Sequence, residues 1–258
     1  MHWSACLHFS AQSFSLILSS AFFFITIIYS EEVTVNLATI EKYFKMDTAA
    51  KLNDCGEELT RRGSFVEALA MFRSCLQVLK RLVEDKPITD DFTKIFPLSF
   101  EGKPTIIRQD VNLFVHNMAM KFPTTIGEID KNELINFCCT VVLFNIGLTN
   151  HLLGLSRQSK MPQYGRAASH LYKSAFSSCI NLLNKSCLQE SATLLAIVTL
   201  NNLGHVLHEM GRYQESRVFL NELQSFIVYV GYETMGTQLY DFFLNSQLLN
   251  EPRLAAAA

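Results

Sequence analysis

The sequence predicts an all-α fold, a stack of antiparallel helical hairpins with a small β-containing insertion and a C-terminal capping helix. Three observations predict it. Glycine (11) and proline (6) are scarce among 258 residues, which disfavours a turn-rich β fold. Hydrophobic residues make up 49% and charged residues 18%, enough for a packed core and too little charge for a disordered chain. A pair of glycines seven apart occurs three times with matching flanks: Gly56 and Gly63, Gly147 and Gly154, Gly204 and Gly211. The 22 Lys+Arg and 24 Asp+Glu nearly cancel, for a net charge of −2, so no basic excess is present to displace counterions from a nucleic acid.

The composition divides the chain into an apolar segment over 1–45, a helical-repeat domain over 46–250 with an insertion at 86–130, and a tail over 251–258. Residues 3–30 contain no Asp, Glu, Lys or Arg, and the densest apolar run, 14–29, reaches the lower limit for spanning a bilayer. Three readings compete for it. A cleaved targeting peptide should carry a basic start, and only His2 and His8 precede the run. A signal anchor suits Lys42, Lys45 and Lys51 beyond the run, which would leave the body in the cytosol. The third reading is a mis-assigned start upstream of Met46.

The repeated motif has a physical meaning. Each first glycine has Asp54, Asn145 or Asn202 two places before it and Leu52, Leu143 or Leu200 four before. On a helix that leucine shares its face, so a second helix can approach over the missing side chain. The second glycine is expected to end the helix, where a positive φ costs glycine least. An aromatic residue then opens the return helix: Phe65, Tyr164 after an eight-residue insertion, and Tyr213. A small residue three places later, Ala68, Ala167 or Ser216, lets the helices pack closely. Gly204→Leu should therefore overpack the contact.

These positions resemble those of the tetratricopeptide repeat (TPR), a 34-residue helical hairpin. The first copy matches with Leu52, Cys55, Gly56, Leu59, Gly63, Phe65, Ala68, Phe72 and Cys75, and the third with Leu200, Leu203, Gly204, Leu207, Gly211, Tyr213, Ser216 and Leu220. The middle copy is degenerate, with a first helix ending near Gly154, a polar loop over Ser156–Gln163 and a return helix over Tyr164–Leu183. Its run Phe144–Gly154 is also similar to divergent TPR-like proteins of diatoms. Copies so widely separated are not tandem, and most of the chain lies outside the resemblance.

The resemblance implies a non-catalytic interaction module or scaffold, with no cofactor, holding a protein or peptide partner in a concave groove. Carried over, the groove face presents Asn53, Asp54, Glu57 and Arg61, then Phe144, Asn145, Leu148 and His151, then Val198, Asn201, Asn202, His205 and His208. The peptide-binding residues expected from these are Asn53, Glu57, Asn145, His151, Asn201, Asn202, His205 and His208. Asn and neutral His both donate and accept, which suits a peptide backbone, although Asn145 and Asn202 would equally serve to bridge helices internally. Chaperone C-termini are disfavoured, because Glu57 stands where a carboxylate would dock. An adaptor or receptor tethered to a membrane through 14–29 is the alternative. A metal-dependent enzyme built on His151, His205 and His208 is the remote one, since no Asp, Glu or Cys is spaced to complete a ligand set.

The insertion holds Pro87, Pro97, Pro104 and Pro123. Phe96–Phe100 and Thr105–Arg108 read as a hairpin about Glu101-Gly102-Lys103, with Asn112–Met118 a further strand. The segment is expected to be an ordered surface insertion or a flap over the groove. Thr234–Leu249 has the spacing of an amphipathic helix capping the stack. The seven cysteines, odd in number and without a C-x-x-C pair, read as buried thiols in a reducing, cytoplasmic compartment.

Overall fold

The computed structural model describes residues 37–84, 106–109, 113–116, 119–122, 131–183, 188–230, 242–244 and 246–247. Two compact units divide the chain, Met1–Phe44 and Lys45–Ala258. The first is described over Leu37–Phe44, which is helical. The apolar run at 14–29 lies outside the described residues.

The order is α1 (Leu37–Arg61), α2 (Phe65–Glu84), β1 (Ile106–Gln109), β2 (Leu113–His116), α3 (Lys131–Ser156), a 3-10 turn (Gln158–Lys160), α4 (Met161–Leu183), α5 (Gln189–Glu209) and α6 (Tyr213–Val230). The helices form an all-α stack of antiparallel hairpins in which α3 packs on α2 and α4, α4 on α5, and α5 on α6.

Inner and outer helices differ in their burial. The outer helices each bury one stripe with alternating steps of four and three: Ala68, Phe72, Cys75, Leu79 and Leu82 on α2, Ala168, Tyr172, Ala175, Cys179 and Leu182 on α4, and Ser216, Leu220, Leu223 and Ile227 on α6. One apolar stripe on a helix covers one neighbour. In contrast, α3 is buried without a break from Phe144 to His151, and α5 from Leu195 to Leu207. The stretch Asn132–Ser156 is long and apolar enough to cross a membrane, but it is a core helix enclosed by its neighbours.

Two of the three turns follow from a glycine. Gly63 and Gly211 have φ of 78° and 72°. At the first, Ser64 N–H donates to Leu59 O (2.9 Å) and Gly63 N–H to Thr60 O (3.0 Å); at the second, Arg212 N–H donates to Leu207 O (2.9 Å) and Gly211 N–H to His208 O (2.8 Å). Both are Schellman caps, which satisfy the last carbonyls of α1 and α5.

The middle turn departs from expectation. Gly154 lies inside α3, which runs on to Ser156, and its φ is not positive. A Cβ there would stand 2.7 Å from Met161 Sδ, so this glycine admits the start of α4 rather than stopping α3. The return helix begins at Met161, so the predicted loop over Ser156–Gln163 is mostly helical. The buried small residue is Ala168, while Ala167 is exposed, so the insertion in this copy is nine residues long and not eight.

In the insertion, β1 and β2 pair antiparallel, with Ile106 opposite His116 and Gln109 opposite Leu113. Two of the predicted strands, Thr105–Arg108 and Asn112–Met118, thus pair with each other over these residues, while Phe96–Phe100 lies outside the described residues. β2 runs against α5. The expected C-terminal helix is described only at 242–244 and 246–247, where it is helical and buries Phe242 and Ser246.

Candidate functional site

The first glycine of each hairpin sits beneath a large side chain of the return helix. A Cβ on Gly56 would meet the Phe72 ring at 2.6 Å, one on Gly147 the Tyr172 ring at 3.0 Å, and one on Gly204 the Leu220 Cδ2 at 2.5 Å. This close approach brings the polar residues of the inner helices together, and they form two separate clusters.

The first cluster joins α1, α3 and the segment Ala119–Phe122. Asn145 Nδ2 donates to Met120 O (2.8 Å) and Met120 N–H donates to Asn145 Oδ1 (2.7 Å). One carboxamide thus satisfies both polar groups of one residue's backbone. Asn53 Nδ2 donates to the same carbonyl (3.0 Å), and Asn145 Nδ2 also reaches Asn53 Oδ1 (2.9 Å). Ala119, Met120 and Phe122 are buried, as are both asparagines. Lys121 turns the other way, its Nζ 3.7 Å from Glu57 Oε2. Burial raises the carboxyls of Asp54 and Glu57 above their ordinary range, and the Lys121 charge opposes the rise at both. Below the asparagines, Thr60 Oγ1 and Thr149 Oγ1 are 3.3 Å apart, bridging α1 and α3. Two of the expected groove residues therefore hold a backbone, and it is the protein's own.

The second cluster lies between α3, α4 and α5. Asn201 Nδ2 donates to Asn202 Oδ1 (3.2 Å), and Asn202 Nδ2 to Tyr172 Oη (3.4 Å). Tyr172 Oη is 3.4 Å from His151 Nδ1, and His151 Nε2 is 3.2 Å from His205 Nδ1. His205 Nε2 faces Glu209 Oε1 at 3.8 Å. If Tyr172 Oη donates to His151 Nδ1, the proton of each imidazole sits on Nε2. Burial drives the His151 pKa well down and lowers that of His205 to about 4, so both rings are neutral. Burial also lowers His208, whose ring packs edge-on against Tyr213 at 5.0 Å.

Asn201, Asn202, His151 and His205 are buried and face one another across the helices. Both ring nitrogens of His151 are engaged, by Tyr172 and His205. His208 stands apart. Sequence reasoning missed Met120, Lys121, Thr60, Thr149 and Tyr172. Only Tyr172 left a signal, because it occupies the position in its hairpin that Phe72 and Leu220 hold in theirs.

Residues 197–222 match the family model described as "Tetratricopeptide repeat". That stretch is similar to a tetratricopeptide repeat. The matched stretch covers the end of α5 and the start of α6, including Gly204, Gly211, Ser216 and Leu220. In this stretch Ser216 Oγ donates to Gly204 O (2.7 Å), so the small residue both admits and ties the facing helix. No curated protein and no solved structure matches the chain.

Proposed function

We propose that this tetratricopeptide-repeat protein is a non-catalytic interaction module that receives an extended peptide along α1 and α3, on Asn53 and Asn145. The observation that carries this reading is the two-way contact of Asn145 with the backbone of Met120. A carboxamide in that position reads the peptide unit and not the side chain, so a partner's chain in the same extended form makes the same bonds. Ala119–Phe122 is then a resident occupant that a partner displaces. His151, Asn201, Asn202 and His205 join helices to one another in this reading, and the binding role passes to Asn53, Glu57 and Asn145.

The buried thiols of Cys75, Cys138 and Cys179 favour a reducing, cytoplasmic setting. A tether through 14–29 would bring the same module to a membrane, and resistance to extraction by high salt would reveal it.

Affinity purification of the tagged full chain from its native cells tests the groove. Three forms are compared: the original, Lys121→Glu to loosen the occupant, and Asn53→Ala/Asn145→Ala to disable the groove. A partner enriched by the first substitution and lost with the double variant supports the reading. Partners recovered equally with all three overturn it.

A further inference from the structure

We propose that the groove selects extended segments in which a basic residue stands between two apolar ones, the pattern of its own Met120-Lys121-Phe122, so that its partners are peptides of that class. The proposal rests on the reading above and adds to it the chemistry of the partner. The asparagine contacts are made to main-chain atoms and carry no sequence preference, so selection must come from the flanking side chains. In an extended chain alternate residues share a side. Met120 and Phe122 are 7% and 3% exposed and enter the apolar floor. Lys121 points the opposite way, toward two carboxylates on α1, Asp54 and Glu57. These stand three residues apart and therefore share a face. The Glu57 side chain is only 16% exposed, and the Lys121 ammonium at 3.7 Å is its cationic neighbour across the groove. Burial has raised both carboxyls, and the cation works against that rise, so this position favours positive charge in whatever lies across it. An acidic residue there would meet two like charges, the closer of them on the largely covered Glu57. Lys and Arg both meet the requirement.

The test uses the full chain carrying Met120→Pro, which removes the N–H that the occupant donates to Asn145, and a fluorescein-labelled peptide of residues 117–124. Lys121→Glu in the full chain is the second form, should the proline disturb folding, because the Lys121 side chain is at the surface. Fluorescence anisotropy is expected to show binding of the native peptide and at least about tenfold weaker binding of the same peptide carrying Lys121→Glu. Glu57→Lys in the protein should reverse that order. Equal binding of the two peptides overturns the charge selection while leaving the backbone reading standing. Absence of binding to either form, each folded by circular dichroism, overturns both.

Discussion

His151 Nε2 lies 3.2 Å from His205 Nδ1, so neutral imidazoles from α3 and α5 are hydrogen-bonded to each other inside the core. Each ring is also tied outward, His151 to Tyr172 and His205 toward Glu209. The pair joins the middle and last hairpins by a polar contact where apolar packing would otherwise suffice.

This pair makes stability depend on pH. His205 takes up a proton near pH 6.5 when unfolded but only near pH 4 when folded, because burial disfavours its charged form and the neighbouring His208 adds like-charge repulsion. Between those values the unfolded chain binds more protons, so stability falls as the pH drops through the window and recovers as it rises. The loss should reach about 3 kcal/mol by pH 4 for His205 alone, with His151 adding to it in the same direction. Chemical denaturation from pH 7.5 to 4.0 measures it. His205→Gln should flatten the profile, and an unaltered slope in that variant would refute the assignment.

Two kinds of glycine should respond differently to substitution. Gly56 lies against a rigid ring and Gly204 against Leu220 Cγ at 2.7 Å, so Gly56→Ala and Gly204→Ala should each cost about 1–3 kcal/mol by overpacking. Gly63 has open space around it and a φ of 78°, so Gly63→Ala should cost about 1 kcal/mol through the backbone alone. Gly63→Asn should recover part of that loss, and Gly56→Asn none. Urea midpoints for the set decide the matter.

Removing the Asn145 carboxamide leaves the buried Met120 N–H without its acceptor. Asn145→Ala should cost about 1–3 kcal/mol. The Met120 amide should lose its protection in hydrogen exchange, while amides in the middle of α5 keep theirs. Protection unchanged at Met120 would mean that other groups hold the segment.

The thiols offer a readout of opening. Burial raises Cys75 to about 12, Cys179 to about 12 and Cys139 to about 11, and raises Cys138 strongly as well. Cys55 is exposed. In native buffer a disulfide reagent should modify Cys55 rapidly, the half-buried Cys139 more slowly, and the buried Cys75, Cys138 and Cys179 only at the rate of global unfolding. Fast reaction of Cys75 would indicate that α2 detaches on its own.

Much of this architecture was legible because glycine has few reasons to recur at a fixed spacing. Gly63 and Gly211 announced their turns, and the stripes on α2, α4 and α6 carried a clear helical period. Where a helix is surrounded, that period vanishes, which is why α3 and α5 extended beyond the motifs that revealed them. Gly154 misled because close packing and chain reversal call for the same residue. The partnership of Asn145 with Met120 left no trace at all. It joins a helix to a tetrapeptide outside any helix or strand whose own composition is unremarkable, and Asn53 enters it from a helix far earlier in the chain.

If the groove receives a peptide as proposed, its resident segment Ala119–Phe122 is joined to the protein at both ends, and occupancy becomes a matter of competition. A tethered segment acts at a local concentration on the order of millimolar, independent of how dilute the protein is. Dilution therefore never empties the groove. A free peptide with the same intrinsic affinity must approach that local concentration before it takes half the sites. Ligands below the threshold leave the protein unchanged, and those that engage at ordinary cellular levels must bring contacts that Ala119–Phe122 does not make.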